Sequence, residues 1–130
     1  MRAPLILSLS VLVCSYGIAA PACIAPALDS TAFRRAENLV QRLPELRAWS
    51  KAHRFPVAYD SVAEPIVRKG RCYISVAVSA SRPERLELWQ LFYVNATRRS
   101  ILIQEPIDGE IISLKKWRVN EAAKHTHGAA

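Results

Sequence analysis

Arg71-Cys72-Tyr73-Ile74-Ser75-Val76-Ala77-Val78-Ser79, followed by Leu86-Glu87-Leu88-Trp89-Gln90-Leu91-Phe92-Tyr93-Val94-Asn95, decides the fold. In the first stretch Cys72, Ile74, Val76 and Val78 alternate with Tyr73, Ser75, Ala77 and Ser79. A period of two predicts a strand with one buried face. Ser81-Arg82-Pro83-Glu84 is the turn out of it. In the second stretch Leu86, Leu88, Phe92 and Val94 share one face, and Trp89, Leu91 and Tyr93 share the other. Apolar residues on both faces predict a central strand.

Downstream, Ala96 to Ser100 turns, and Ile101, Leu102 and Ile103 make a third strand over 100–105. Asp108-Gly109 marks a second tight turn. Ser113 to Trp117 reads as a capped helical turn that closes the core, and residues 119–130 carry no apolar pattern and are expected to be a mobile tail.

Upstream, residues 54–70 hold Pro56, Pro65 and Gly70 and read as irregular, apart from a short edge strand at Val57, Ala58 and Tyr59. Before them the period becomes helical. Asp29-Ser30-Thr31 offers an N-cap, and Phe33, Ala36, Leu39, Val40 and Leu43 recur at helical spacing. Pro44 interrupts the run but suits the first position of a new helix. Leu46 and Trp49 continue it, so two helical pieces, 31–43 and 44–53, kinked at Pro44, are predicted. Helices first and strands after give an α+β fold: a kinked N-terminal helix on an antiparallel three- to four-stranded meander.

The first 27 residues read as a cleavable signal peptide. Arg2 supplies the positive start, and Leu5 to Val13 the apolar run, which is too short for a bilayer span. Small residues at Ala20-Pro21-Ala22 and at Ala25-Pro26-Ala27 place cleavage before Cys23 or before Leu28. This leaves one domain over 28–118 and the tail over 119–130. Periplasmic or secreted placement follows. Cys23 at a mature N-terminus would also suit a lipid anchor. Alternatively, Cys23 and Cys72 pair in an oxidising compartment. If Cys23 is lipidated or removed, Cys72 is a small buried thiol.

The chain has 18 basic and 11 acidic residues, a net charge of +7. Removing residues 1–27 takes one basic residue, Arg2, and no acid, which leaves +6. That balance favours anionic surfaces. The cations fall in groups: Arg34 and Arg35; Arg68, Lys69 and Arg71; Arg98 and Arg99; Lys115, Lys116 and Arg118. Groups at turns and element ends are commonly solvated surface. No finger, helix-turn-helix or aromatic-basic stacking motif points to nucleic acid.

The quoted strands, with Ala36-Glu37-Asn38-Leu39-Val40, Pro44-Glu45-Leu46 and Phe92-Tyr93-Val94-Asn95-Ala96-Thr97-Arg98-Arg99-Ser100-Ile101-Leu102, resemble the PepSY-type family of small exported α+β modules. The likeness covers about residues 33–106. Asn95 stands where that family's pattern has Asp, and Arg98-Arg99 where it has Gly. The resemblance implies non-catalytic roles, including peptidase inhibition, and transfers no catalytic residue.

Chemistry-bearing residues are sparse. His53, Ser75 or Ser79, and Asp60 are the members of a conceivable triad, but no spacing joins them, and no enzyme is predicted. His125-x-His127 is too small a set for a closed metal site, and no metal or cofactor is expected. Asn95-Ala96-Thr97 matches a glycosylation acceptor, read here as chance. The expected function is a binding or inhibitory module of the bacterial envelope, masking a peptidase or cell-wall hydrolase. Its candidate partner-binding face is Glu87, Trp89, Leu91 and Tyr93, left half-covered by a helix on the other side, unless residues 54–70 or the C-terminal segment cover it. The partner is a protein or a second copy of the chain. The alternative is a structural or ligand-binding protein that engages anionic envelope lipid or glycan.

Overall fold

The structure, a computed structural model, describes residue 4 and residues 22–127, with the side chains of 125–127 set aside. The expected signal peptide lies largely outside these residues. Three helices and six strands make an α+β fold. They run α1 (Thr31–Gln41), α2 (Pro44–Ala52), β1 (Val57–Asp60), β2 (Ile66–Arg68), β3 (Arg71–Ser81), β4 (Leu86–Asn95), β5 (Ser100–Gln104), β6 (Ile111–Ser113) and α3 (Leu114–His127).

Ser30 caps α1, its side chain accepting from the Phe33 N–H at 3.2 Å. The helix ends at Gln41, two residues short of the expectation. Pro44 then opens α2 with Leu43 as its N-cap, so the chain makes two separate helices rather than one kinked helix. Phe33, Ala36, Val40, Leu43 and Leu46 are buried from this side.

The strands form one antiparallel array in the order β1-β3-β4-β5-β6, with β2 also paired to β3. Thus β1 and β2 share one edge of β3: β1 meets Ala77–Ala80 and β2 meets Arg71–Tyr73. Six strands replace the expected three to four. The two unforeseen ones, β2 and β6, are three residues long, too short to display a period. Residues 119–127, expected to be a mobile tail, instead continue α3 to His127. Trp117 on that helix is 2 % exposed and meets Phe92 edge-on at 6.1 Å.

All three helices lie on one face of the sheet, around Val76, Val78, Phe92, Val94, Ile103 and Ile112. On the other face the segment 61–65 crosses β3. Ser75 Oγ, fully buried, donates to the Ala63 carbonyl at 2.8 Å and meets Ser61 Oγ at 3.1 Å.

Cys23 and Cys72 are joined by a disulfide with their Cα atoms 5.4 Å apart. This is the pairing among the three readings of Cys23. It uses the sulfur that a lipid anchor would need, and Cys72 is not a lone thiol. The bridge fastens the arm that precedes α1 to the start of β3.

Candidate functional site

The face expected to carry Glu87, Trp89, Leu91 and Tyr93 together does not exist as one surface. The β3–β4 register slips between Val78 and Ser79: Val78 faces Gln90, but Ser79 faces Leu88. Trp89 is the extra residue of a β-bulge, which reverses which residues of β4 face the helices. Trp89 turns under α2 and stacks on Trp49, ring centroids 4.7 Å apart and planes within 8°. Glu87, opposite Ala80, pairs with Arg82 near α2. Leu86 and Leu88, expected inside, are 56 % and 55 % exposed. Leu91 and Tyr93 stay on the other face, where Tyr93 is buried and Leu91 half-buried. The sequence hides this reversal because 86–95 is apolar on both parities.

The conceivable triad is likewise separated. His53 ends α2, its Nδ1 2.8 Å from the Trp49 carbonyl oxygen. Ser75 lies on the opposite face, and the Asp60 carboxylate accepts from the next residue's N–H. Among the described residues no group of three or more His, Cys, Asp or Glu is placed to hold a metal ion.

The structure instead assembles a site from two cation groups 30 residues apart in sequence. The β2–β3 hairpin sets Arg68 directly opposite Arg71, with Lys69 and Gly70 between them. The β4–β5 turn sets Asn95 opposite Ser100 and carries Arg98 and Arg99. Because β3 and β4 are antiparallel neighbours, hairpin and turn emerge at the same end of the sheet. Asn95 ties them: its Nδ2 donates to the Cys72 carbonyl at 3.1 Å while its Oδ1 accepts from the Arg98 N–H at 3.0 Å. The Tyr73 hydroxyl and Ser100 Oγ, 3.0 Å apart, add a second tie.

Five cations therefore share one end: Arg68, Lys69, Arg71, Arg98 and Arg99. All are exposed, and none meets a carboxylate among the described residues. Two local costs are accepted there. Like charges directly opposite across a strand pair are destabilising, and Arg68 and Arg71 are such a pair. Lys69 and Arg99 have φ of +52° and +51°, the left-handed region that disfavours any side chain with a Cβ. They are the only non-glycine residues in that region among those described. At Arg99 the left-handed turn position would suit a glycine, and the chain supplies a cation.

Comparison of the chain with protein-family models, with curated proteins and with solved structures finds no match.

Proposed function

We propose that this chain is an exported, non-catalytic binding module of the bacterial envelope, and that it engages an anionic surface through the basic end of its sheet. The observation that carries the reading is the convergence of Arg68, Lys69, Arg71, Arg98 and Arg99 on one end at a local cost in backbone and charge. Strained, self-repelling positions that a fold does not need are where function is sought. The Cys23–Cys72 bridge supports export, since disulfides persist in oxidising compartments. Cleavage before Cys23 keeps the bridge and adds an α-ammonium group beside the same cations. Among the described residues no helix is long and apolar enough to cross a membrane. The PepSY-type kinship belongs to the same proposal, as the α+β frame on which such a module is built.

The shared chemistry is the phosphate of a lipid headgroup or of an anionic glycan. A cation near an anionic bilayer contributes about 1 kcal/mol. Removing two, as in Arg98→Gln with Arg99→Gln, should weaken binding to phosphatidylglycerol vesicles roughly thirtyfold. The same charge change at Arg34 and Arg35, exposed on α1, should have a several-fold smaller effect. Co-sedimentation at low and high salt reads both. Retention by a soluble phosphorylated glycan, without vesicle binding, would assign the phosphate to glycan. Equal losses from the two double variants would reduce the site to net charge and refute the reading.

A further inference from the structure

Cys23-Ile24-Ala25-Pro26-Ala27-Leu28 is a run without one charged, hydroxyl or amide side chain. It forms neither helix nor strand, and all of it but Cys23 and Pro26 is exposed. The disulfide clips this arm to the basic end. Cys23 Sγ lies 3.6 Å from the Ile66 carbonyl oxygen, against β2, and Cys72 is the cross-strand partner of Val67. Cross-strand partners share a face, so Val67 stands beside the bridge. Ile24 is one Cα step beyond a bridge whose Cα atoms are 5.4 Å apart, which places its Cα within about 10 Å of that of Cys72. Ile24 and Val67 are 71 % and 54 % exposed. Arg68 follows Val67 in the chain, and Arg71 precedes Cys72.

We propose that the anionic surface met by this end is a phospholipid bilayer, and that Ile24 and Val67 enter its interface while the five cations hold the lipid phosphates. The proposal rests on the basic-end reading above and narrows its phosphate to that of a lipid.

Scattered exposed apolar residues are ordinary. These two are brought from distant segments to one spot already crowded with cations. A soluble phosphorylated glycan would engage the cations and leave Ile24 and Val67 in water. A bilayer supplies both partners at adjacent depths, phosphate outside and acyl chain within. Arginine suits that boundary, because its apolar stem can lie along the acyl region with the guanidinium at the phosphate. The backbone limits the depth. Residues 23–27 have no helix or strand to satisfy their N–H and C=O groups, which must stay hydrated. Side chains therefore enter the interface and the chain does not. Attachment without a membrane-spanning helix combines charge with apolar burial, and the bridge is what holds the two together here.

Ile24→Thr with Val67→Thr removes apolar surface, keeps both side chains β-branched and leaves every cation in place. In the mature, oxidised protein this pair should weaken binding to phosphatidylglycerol vesicles about tenfold. The salt dependence and the unfolding midpoint should stay unchanged. Arg98→Gln with Arg99→Gln should instead reduce the salt dependence. Insertion is read separately with Ile24→Trp. The native tryptophans are remote from this end: Trp89 lies about 20 Å along β4 from Asn95 at the usual rise per residue, and Trp49 and Trp117 pack against it. The added indole should shift to the blue on vesicles and be quenched by lipids brominated near the headgroup end of their acyl chains, beyond any quenching of the wild type. Unchanged affinity in the double threonine variant, or no extra quenching in Ile24→Trp, overturns the insertion and leaves the cation site standing. If the wild type binds a soluble phosphorylated glycan but no vesicles, the bilayer is refuted and the basic end is not. If it binds neither, both readings fall.

Discussion

Removing the bridge, by Cys23→Ser with Cys72→Ser, is expected to lower stability by about 2–4 kcal/mol. The bridge joins residues 49 apart in sequence. Closing such a loop in the unfolded chain is worth about 4 kcal/mol on the chain-entropy estimate. Part of this is returned by the native state. Ile24 and Leu28 on the pinned arm are 71 % and 51 % exposed, so few apolar contacts hold residues 23–29 once the bridge is gone. The arm then frays and regains backbone entropy. With a urea slope of about 2 kcal/mol/M, the midpoint should fall by about 1–2 M. Tryptophan emission follows the transition, and the reduced wild type should match the double variant. A loss below about 0.5 kcal/mol, the scale of ordinary surface changes, would refute the entropic account. Two free thiols in protein from the envelope would refute the pairing itself.

The bulge predicts an inverted pattern along β4. Trp89→Ala should cost about 2–4 kcal/mol, somewhat below full burial of a large aromatic, while Leu88→Ser should stay within about 0.5 kcal/mol. Urea titration showing the opposite order would place Leu88 inside. Burial alone would raise the Glu45 carboxyl; the hydrogen bond and charge of Arg118, together with a backbone hydrogen bond, outweigh it and hold Glu45 below its usual 4.5. A depressed carboxylate stabilises the fold above its unfolded value and loses that contribution as pH falls through its folded value. Glu45→Gln should therefore flatten the fall in stability below about pH 4.5, by no more than about 1 kcal/mol for so exposed a pair. An unchanged acid slope in thermal unfolding would refute the pairing. Arg71→Glu should convert the like-charged Arg68–Arg71 pair into an attractive one, stabilising by about 0.2–1 kcal/mol at low salt while weakening vesicle binding. A variant that loses stability would show that the repulsion is not there.

Much of the architecture is legible in the residues, and the failures have local causes. The period of two across 71–79 locates β3, and Pro44 at a helix start separates α1 from α2. The short strands β2 and β6 owe their existence to neighbours: Ile66, Val67 and Arg68 become a strand because the left-handed Lys69-Gly70 turn folds them back on β3. The bulge is illegible for a different reason. Alternation reveals a register only where one parity is polar, and Leu86, Leu88, Trp89 and Leu91 are apolar on both. The candidate partner face failed with it. The cation groups were visible as groups, but their union depends on the pairing of β3 with β4, which puts residues 68–71 and 98–99 side by side.

That union sets stability against use. A chain optimised only to fold would place glycine at 69 and 99, where φ is positive, and an acid opposite Arg68. Here all three positions carry cations, so each spends stability on the same local charge. A solvated surface scatters its charges where the backbone tolerates them freely. Neither the left-handed turns nor the cross-strand repulsion is of that kind, and no described carboxylate relieves them. The bridge enters beside these residues, through Cys72 next to Arg71, and fixes the strand whose start they crowd. Its stabilisation offsets the repulsion without screening it, so the positive potential stays available to an incoming anion. A salt bridge in its place would have stabilised the end by cancelling the charge.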